Sequence, residues 1–271
     1  MKTIRSRILF GLIIVFFIAG ASTSAKSLWD HIGVIPPETI AAPPMGLEEN
    51  PVAVIFPENL RSYRSRAKEY VKNYGEKNRD FVIHSFLKGQ KFFPKAQEIL
   101  NKYRVPVELQ MIPVLESDFD ANAVSKVGAI GYWQFMTELA HEYGLHTTGK
   151  YDERKNFVKA TIAASKYFRD QLQYYRGDIL LAVASYNCGQ GRVDKAIKQS
   201  GKVHAGFWDV KQYLPFETRK FVMDFISLNV IAANYDKFLA DRMDFSATPF
   251  IAEAPGDNGL QQGGSKTVMA Y

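Results

Sequence analysis

Val114-Leu115-Glu116-Ser117, Gly128-Ala129-Ile130-Gly131-Tyr132-Trp133-Gln134-Phe135-Met136 and Ala184-Ser185-Tyr186-Asn187-Cys188-Gly189 follow one another along the chain. The first block ends a run that begins at Pro106, a residue suited to the first turn of a helix because its missing N–H is not needed there. The pattern predicts a helix through Leu109 and Met111 to Glu116, kinked or loosened by Pro113. Glu116 then stands where helix gives way to loop. Flanked by Val114 and Leu115, its carboxyl is a candidate for desolvation, which disfavours the charged form and raises the pKa. In the second block, Gly128 and Gly131 permit positive φ and close approach of the backbone to a ligand. Tyr132 and Trp133 offer flat faces, Gln134 two donors and an acceptor, and Met136 a pocket floor. Taken alone, Trp133, Phe135 and Met136 read equally well as core, and a lone glutamate at a helix end as a surface residue. The third block reads as a helix end turning at Gly189. A carboxyl able to give and retake a proton, next to stacking faces and amide donors, suits a sugar chain. Together the blocks point to an enzyme that cuts a glycan.

Outward from these blocks the pattern is helical. Leu60, Tyr63, Ala67, Tyr70 and Tyr74 recur three to four apart, with Arg61, Arg64, Arg66, Lys68 and Lys72 mostly on other faces. Further apolar stripes appear at Phe81–Leu87, at Val158, Ile162, Ala163, Tyr167 and Leu172, and at Phe221, Phe225, Leu228 and Ile231. Strand-like alternation is scarce. The reading is an all-α unit from about residue 58 to 245, with a helical N-terminal extension over 58–103 and the catalytic part over 104–245. Six of the twelve prolines fall between Pro36 and Pro57, so residues 26–57 read as an extended linker. The glycine-rich end, residues 246–271, reads as a flexible tail.

The chain opens with Lys2, Arg5 and Arg7 and no acid, continues apolar from Ile8 to Ala21, and then turns to small residues through Ala25. That is the pattern of a secretory signal cut after Ala25, and it implies a periplasmic protein. An uncleaved signal would instead attach the chain to the inner membrane, although the run is short of the roughly 20 residues a span needs. Removing residues 1–25 lowers the formal net charge from +6 to +3. Such modest basicity argues against nucleic-acid binding, which wants a concentrated basic face, and is compatible with a polyanionic wall polymer.

Cys188 is the single cysteine, so no intramolecular disulfide can form and the core must rest on packing. With no histidine near it in sequence, Cys188 reads as a small packing residue rather than a nucleophile. His141 and His146 stand five apart and would point about 140° away from each other on a helix, whereas metal ligands need a four-residue step. No metal and no cofactor is expected.

The set Glu116-Ser117, Ser125-x-x-Gly128-x-x-Gly131-x-Trp133-Gln134-Phe135-Met136, Ala184-x-Tyr186-Asn187-x-Gly189 and Leu214-Pro215-x-Glu217-Thr218-Arg219 resembles family 1 lytic transglycosylases, those with an SLT domain, and among them the membrane-bound D type. The resemblance covers about residues 104–235. It implies an all-α, lysozyme-like (goose-type) domain acting on peptidoglycan glycan strands, with Glu116 as the sole acid/base; the chain is separately expected to be a monomer. Ser117, Ser125, Gly131, Tyr132, Gln134, Phe135, Met136, Tyr186 and Asn187 would bind substrate. The implied reaction cleaves the MurNAc–GlcNAc β-1,4 bond and leaves a 1,6-anhydro-MurNAc end. Phe221 departs from the pattern, because the family carries a tyrosine at that place. The rival readings are a goose-type lysozyme hydrolase, which would need Asp118, Asp120 or Glu138 to hold water, and an inactive peptidoglycan-binding protein.

Overall fold

The stripe that begins at Leu60 forms a 3-10 turn, Glu58–Tyr63, that runs directly into α1, Arg64–Lys77. Its apolar residues Ala67, Val71 and Tyr74 fall on one side and are buried there. The computed structural model describes residues 53–148 and 151–246. The expected signal, most of the linker and nearly all of the tail lie outside the described residues.

After α1 come α2, Arg79–Gly89, and α3, Phe93–Lys102. A 3-10 segment, Val107–Met111, leads into α4, Ile112–Ser117. Then follow α5, Thr137–Glu142, α6, Phe157–Tyr174, α7, Ile179–Cys188, and α8, Gln190–Ser200. The last described helices are α9, Phe207–Val210, α10, Phe216–Ala232, and α11, Tyr235–Leu239. Among the described residues there is no strand, only three isolated bridges. The all-α reading holds, and no described helix is long and apolar enough to cross a membrane.

Two helices form the centre. α7 is buried from Ile179 through Ser185 without a break, and α10 from Val222 through Ile231. A helix buried around its whole circumference must be enclosed by others. α10 packs on α1 and on α7, and α3 packs on α6, so one core runs from Val54 to Phe238. The 58–103 helices and the described residues that follow them therefore share a single interior. Asp178 starts α7 by accepting from the N–H groups of Leu180 and Leu181, and Asn156 starts α6 by accepting from that of Lys159.

Two expectations need correction. The linker does not extend to residue 57: Val54 and Phe56 are buried, and Asn234 accepts from the Ile55 N–H at 2.8 Å while donating to the Ile55 carbonyl at 2.7 Å. Alternating burial, with exposed Ile55 between two core residues, hid this docking among prolines. Nor is Pro106–Glu116 one kinked helix. Pro113 stands in the first turn of α4, where no intrahelical N–H is required, and the chain before it tightens into 3-10 geometry.

Candidate active site

Glu116 is the penultimate residue of α4, and the turn behind it is tight. Asp118 and Phe119 both have positive φ, 47° and 56°, a region that side chains with a Cβ rarely adopt. Their N–H groups return to the carbonyls of Val114 at 3.1 Å and Pro113 at 3.2 Å, closing the helix. Neighbouring helices hold the strain. Lys88 of α2 donates to Asp118 at 3.2 Å, and Phe119 stacks 4.7 Å from Phe92 and meets Phe93 edge-on. The Ser117 hydroxyl donates to the Tyr132 carbonyl at 2.9 Å, with that of Pro113 at 3.2 Å.

The glycine-punctuated segment is a folded loop. Ile130 bridges to Val124 on one side and Phe135 on the other. Gly131 has φ +83°, and a Cβ there would lie 2.1 Å from the Arg154 carbonyl. Its bareness thus admits the chain's own backbone, rather than the ligand expected from the sequence. Gln134, at φ 48°, donates through Nε2 to the carbonyls of Ala123 and Gly131. Ser125 Oγ accepts from the Ala129 N–H at 2.9 Å. Trp133 is fully buried and donates to Thr161 Oγ1 at 3.0 Å, Phe135 is 1% exposed, and Met136 is exposed at the start of α5. Phe135 therefore belongs to the core and offers a ligand almost no surface. Tyr132 packs edge-on to Phe92 and Phe157.

Beneath this loop the third block closes the arrangement. The Tyr186 hydroxyl donates to the Trp133 carbonyl at 2.5 Å, and its ring stacks 5.0 Å from Phe168. Exposed Asn187 accepts from the Thr218 hydroxyl at 2.8 Å, which ties the end of α7 to the first turn of α10. Cys188 is buried and unpaired, as its packing reading required. Phe221, one turn further along α10, is half-buried against the core.

Glu116 itself is half-buried and makes no hydrogen bond or ion pair among the described residues. Desolvation pushes its pKa up to about 8. Burial, and then the charge of Glu116, push the Tyr186 phenol well above its usual range, so that hydroxyl remains a donor. The geometry thus presents a carboxyl that is protonated at neutrality, accessible on one side and uncommitted. Asp118, Asp120 and Glu138 are placed differently. Asp118 is held by Lys88, Asp120 is exposed and accepts from the Asn122 N–H, and Glu138 is exposed on α5.

Sequence reasoning missed Arg154. It is 4% exposed, bonds Asp152 through Nε and Nη2, and donates from Nη1 to the Phe135 carbonyl at 3.1 Å and Thr137 Oγ1 at 3.2 Å. The local signal was Asp152-x-Arg154 after the loop, a spacing that lets a carboxylate cap and clamp its own neighbour. Thr161, the partner of the Trp133 indole, left no such trace.

The transglycosylase SLT domain model matches residues 95–206. The chain is 34% identical over 186 residues to membrane-bound lytic murein transglycosylase D of Escherichia coli, covering 68% of this chain and 39% of that protein. It is 35% identical over 98 residues to a putative tributyltin chloride resistance protein of an Alteromonas species, covering 36% of this chain and 47% of that one. The chain thus spans about two fifths of the length of the murein transglycosylase it matches. Among solved structures, an inactive mutant of the lytic transglycosylase Slt from Pseudomonas aeruginosa aligns with a TM-score of 0.46 at 20% identity, over 65% of this chain and 31% of that one.

Proposed function

We propose that the chain is a peptidoglycan lytic transglycosylase of the SLT family, a reading supported by the match of the transglycosylase SLT domain model to residues 95–206. Its reaction cleaves the β-1,4 bond between N-acetylmuramic acid and N-acetylglucosamine and leaves a 1,6-anhydro end. The observation that carries the reading is Glu116: a half-buried carboxyl with no partner among the described residues and a pKa pushed up to about 8.

Protonated at neutral pH, Glu116 gives its proton to the glycosidic oxygen as the bond to the muramic anomeric carbon breaks. The charge it acquires then accepts the proton of the muramic C6 hydroxyl as that oxygen closes on the anomeric carbon. The proton count balances with one carboxyl. The N-acetyl group stabilises the cationic carbon, which takes the place of the second carboxylate of the usual glycosidase scheme. Ser117, Ser125, Tyr132, Gln134, Met136, Tyr186 and Asn187 form the cleft in this reading, and Gly131 and Phe135 shape it from beneath. The lysozyme-like domain spans 104–245, and the 58–103 helices are an integral wall of it. The chain acts as a monomer in the periplasm, exported by the signal at 1–25.

Purified sacculi digested with the protein provide the test. Mass spectrometry of the released fragments should show 1,6-anhydro ends with the wild type and no release with Glu116→Gln. Reducing ends would support the hydrolase instead, and no release by the folded wild type would support a binding protein.

A further inference from the structure

A cavity of about 540 Å³ opens between the end of α6, the start of α7, α8 and the 201–206 loop. No residue of the Glu116 arrangement lines it. Its walls carry Tyr174, Arg176, Asp178, Asp194 and His204. Asp178 is already committed to the fold, since its carboxylate accepts from the N–H groups of Leu180, Leu181 and Phe207. Asp194 is different. It accepts from the hydroxyls of Tyr174 at 3.1 Å and Tyr175 at 3.4 Å, and no cation pairs with it among the described residues. Arg176, held at φ 54° just before Gly177, contacts only His204 and no carboxylate. One cavity thus holds a carboxylate without a cation and a guanidinium without an anion, and the two do not neutralise each other.

We propose that this cavity binds a zwitterionic amino-acid terminus, its ammonium on Asp194 and its carboxylate on Arg176. Each charge of such a ligand finds an opposite charge that no ion pair engages among the described residues, and the Tyr174 ring, half-exposed at the rim, covers its alkyl part. The inference rests on the glycan-cleaving reading for its choice of ligand. An uncrosslinked wall stem peptide with a diamino acid ends its side chain in one carbon bearing both ammonium and carboxylate. α7 joins the two places: Asp178 precedes its first turn and Tyr186 lies in its last, about 12 Å further along its axis at 1.5 Å per residue. A substrate with a glycan backbone and a peptide branch can span that distance. The cavity would thus select stems whose side-chain amine has not been consumed in a crosslink.

Calorimetric titration of the full chain with the free tripeptide L-Ala–γ-D-Glu–meso-diaminopimelate tests this. Wild type and Glu116→Gln should bind it with the same affinity, and Asp194→Asn and Arg176→Gln should each weaken it at least tenfold at unchanged melting temperature. The tripeptide acetylated on the side-chain amine should bind at least tenfold more weakly. No binding to wild type, equal binding by the folded variants, or equal binding of the acetylated peptide would each overturn the inference. If the wild type releases anhydro ends yet ignores the tripeptide, only the cavity inference fails. If it binds the tripeptide yet cleaves nothing, the glycan reading fails.

Discussion

The Ser117 hydroxyl donates to the Tyr132 carbonyl at 2.9 Å, fastening the residue after Glu116 to the middle of the glycine loop. Two segments that are separate in sequence therefore move as one wall. Neither alone would hold a carboxyl at a fixed height above the loop.

Glu116→Gln should lose lysis by at least the roughly 10²–10⁴-fold of general acid–base catalysis, because the amide cannot cycle a proton. Its effect on stability has a defined sign. A carboxyl whose pKa is about 8 in the folded protein against an ordinary 4.5 binds more protons folded than unfolded between those values. Wild-type stability therefore falls as pH rises from about 4.5 to 8, by up to about 1.4 kcal/mol per unit of pKa difference. Urea melts at pH 4 and pH 9 should show Glu116→Gln matching wild type at the lower pH and exceeding it at the higher.

The same pKa governs activity. With Glu116 as the acid, kcat/KM should fall on the alkaline side through pH 8 and lose that limb to no other titrating group. A pH–rate profile on sacculi, flat from pH 6 to 10, would remove Glu116 from the acid role.

Gly131 and Gly128 share a positive φ but differ in space. A Cβ at 131 meets the Arg154 carbonyl at 2.1 Å, whereas one at 128 meets nothing within 4 Å. Gly128→Ala should cost about 1 kcal/mol, the left-handed penalty alone. Gly131→Ala should cost more than about 2 kcal/mol, since backbone must shift. Denaturant midpoints of the pair check the difference.

Ser117→Ala removes the latch. The expected stability loss is about 0.5–1.5 kcal/mol, the net value of one hydrogen bond. Lysis should fall further than stability, because the loop and Glu116 are then free to separate. Equal lysis at equal melting temperature would show that the bond positions nothing.

Phe221→Tyr should keep the fold and lyse sacculi at the wild-type rate or faster. Phe221 is half-buried on α10, so the added hydroxyl has room to reach water or a polar partner. A lower melting temperature without a rate gain would place the ring in dry core, where an unpaired hydroxyl costs about 1–3 kcal/mol.

The sequence by itself determined the helices whose burial follows their own periodicity. The face of Leu60, Ala67 and Tyr74 and that of Phe225, Leu228 and Ile231 are buried as their spacing required. It also marked Glu116, because a carboxyl that follows directly on the apolar pair Val114-Leu115 is a candidate for burial. Where a helix is enclosed on several sides, spacing stopped informing. Val158 on α6 is exposed, whereas Thr161, Ser165 and Gln171 are buried, because the Trp133 indole, the Thr161 carbonyl and the Ser185 hydroxyl respectively supply the partners that make polar burial tolerable. The site followed the same division. Ser117 to Tyr132, Tyr186 to Trp133, Asn187 to Thr218 and Arg154 to Phe135 join residues 15 to 53 positions apart. Such bonds form only once the core has brought their elements together. Local pattern fixes which side chains are available, and the closing of distant backbone groups in three dimensions decides which of them are held and which one, Glu116, is left uncommitted.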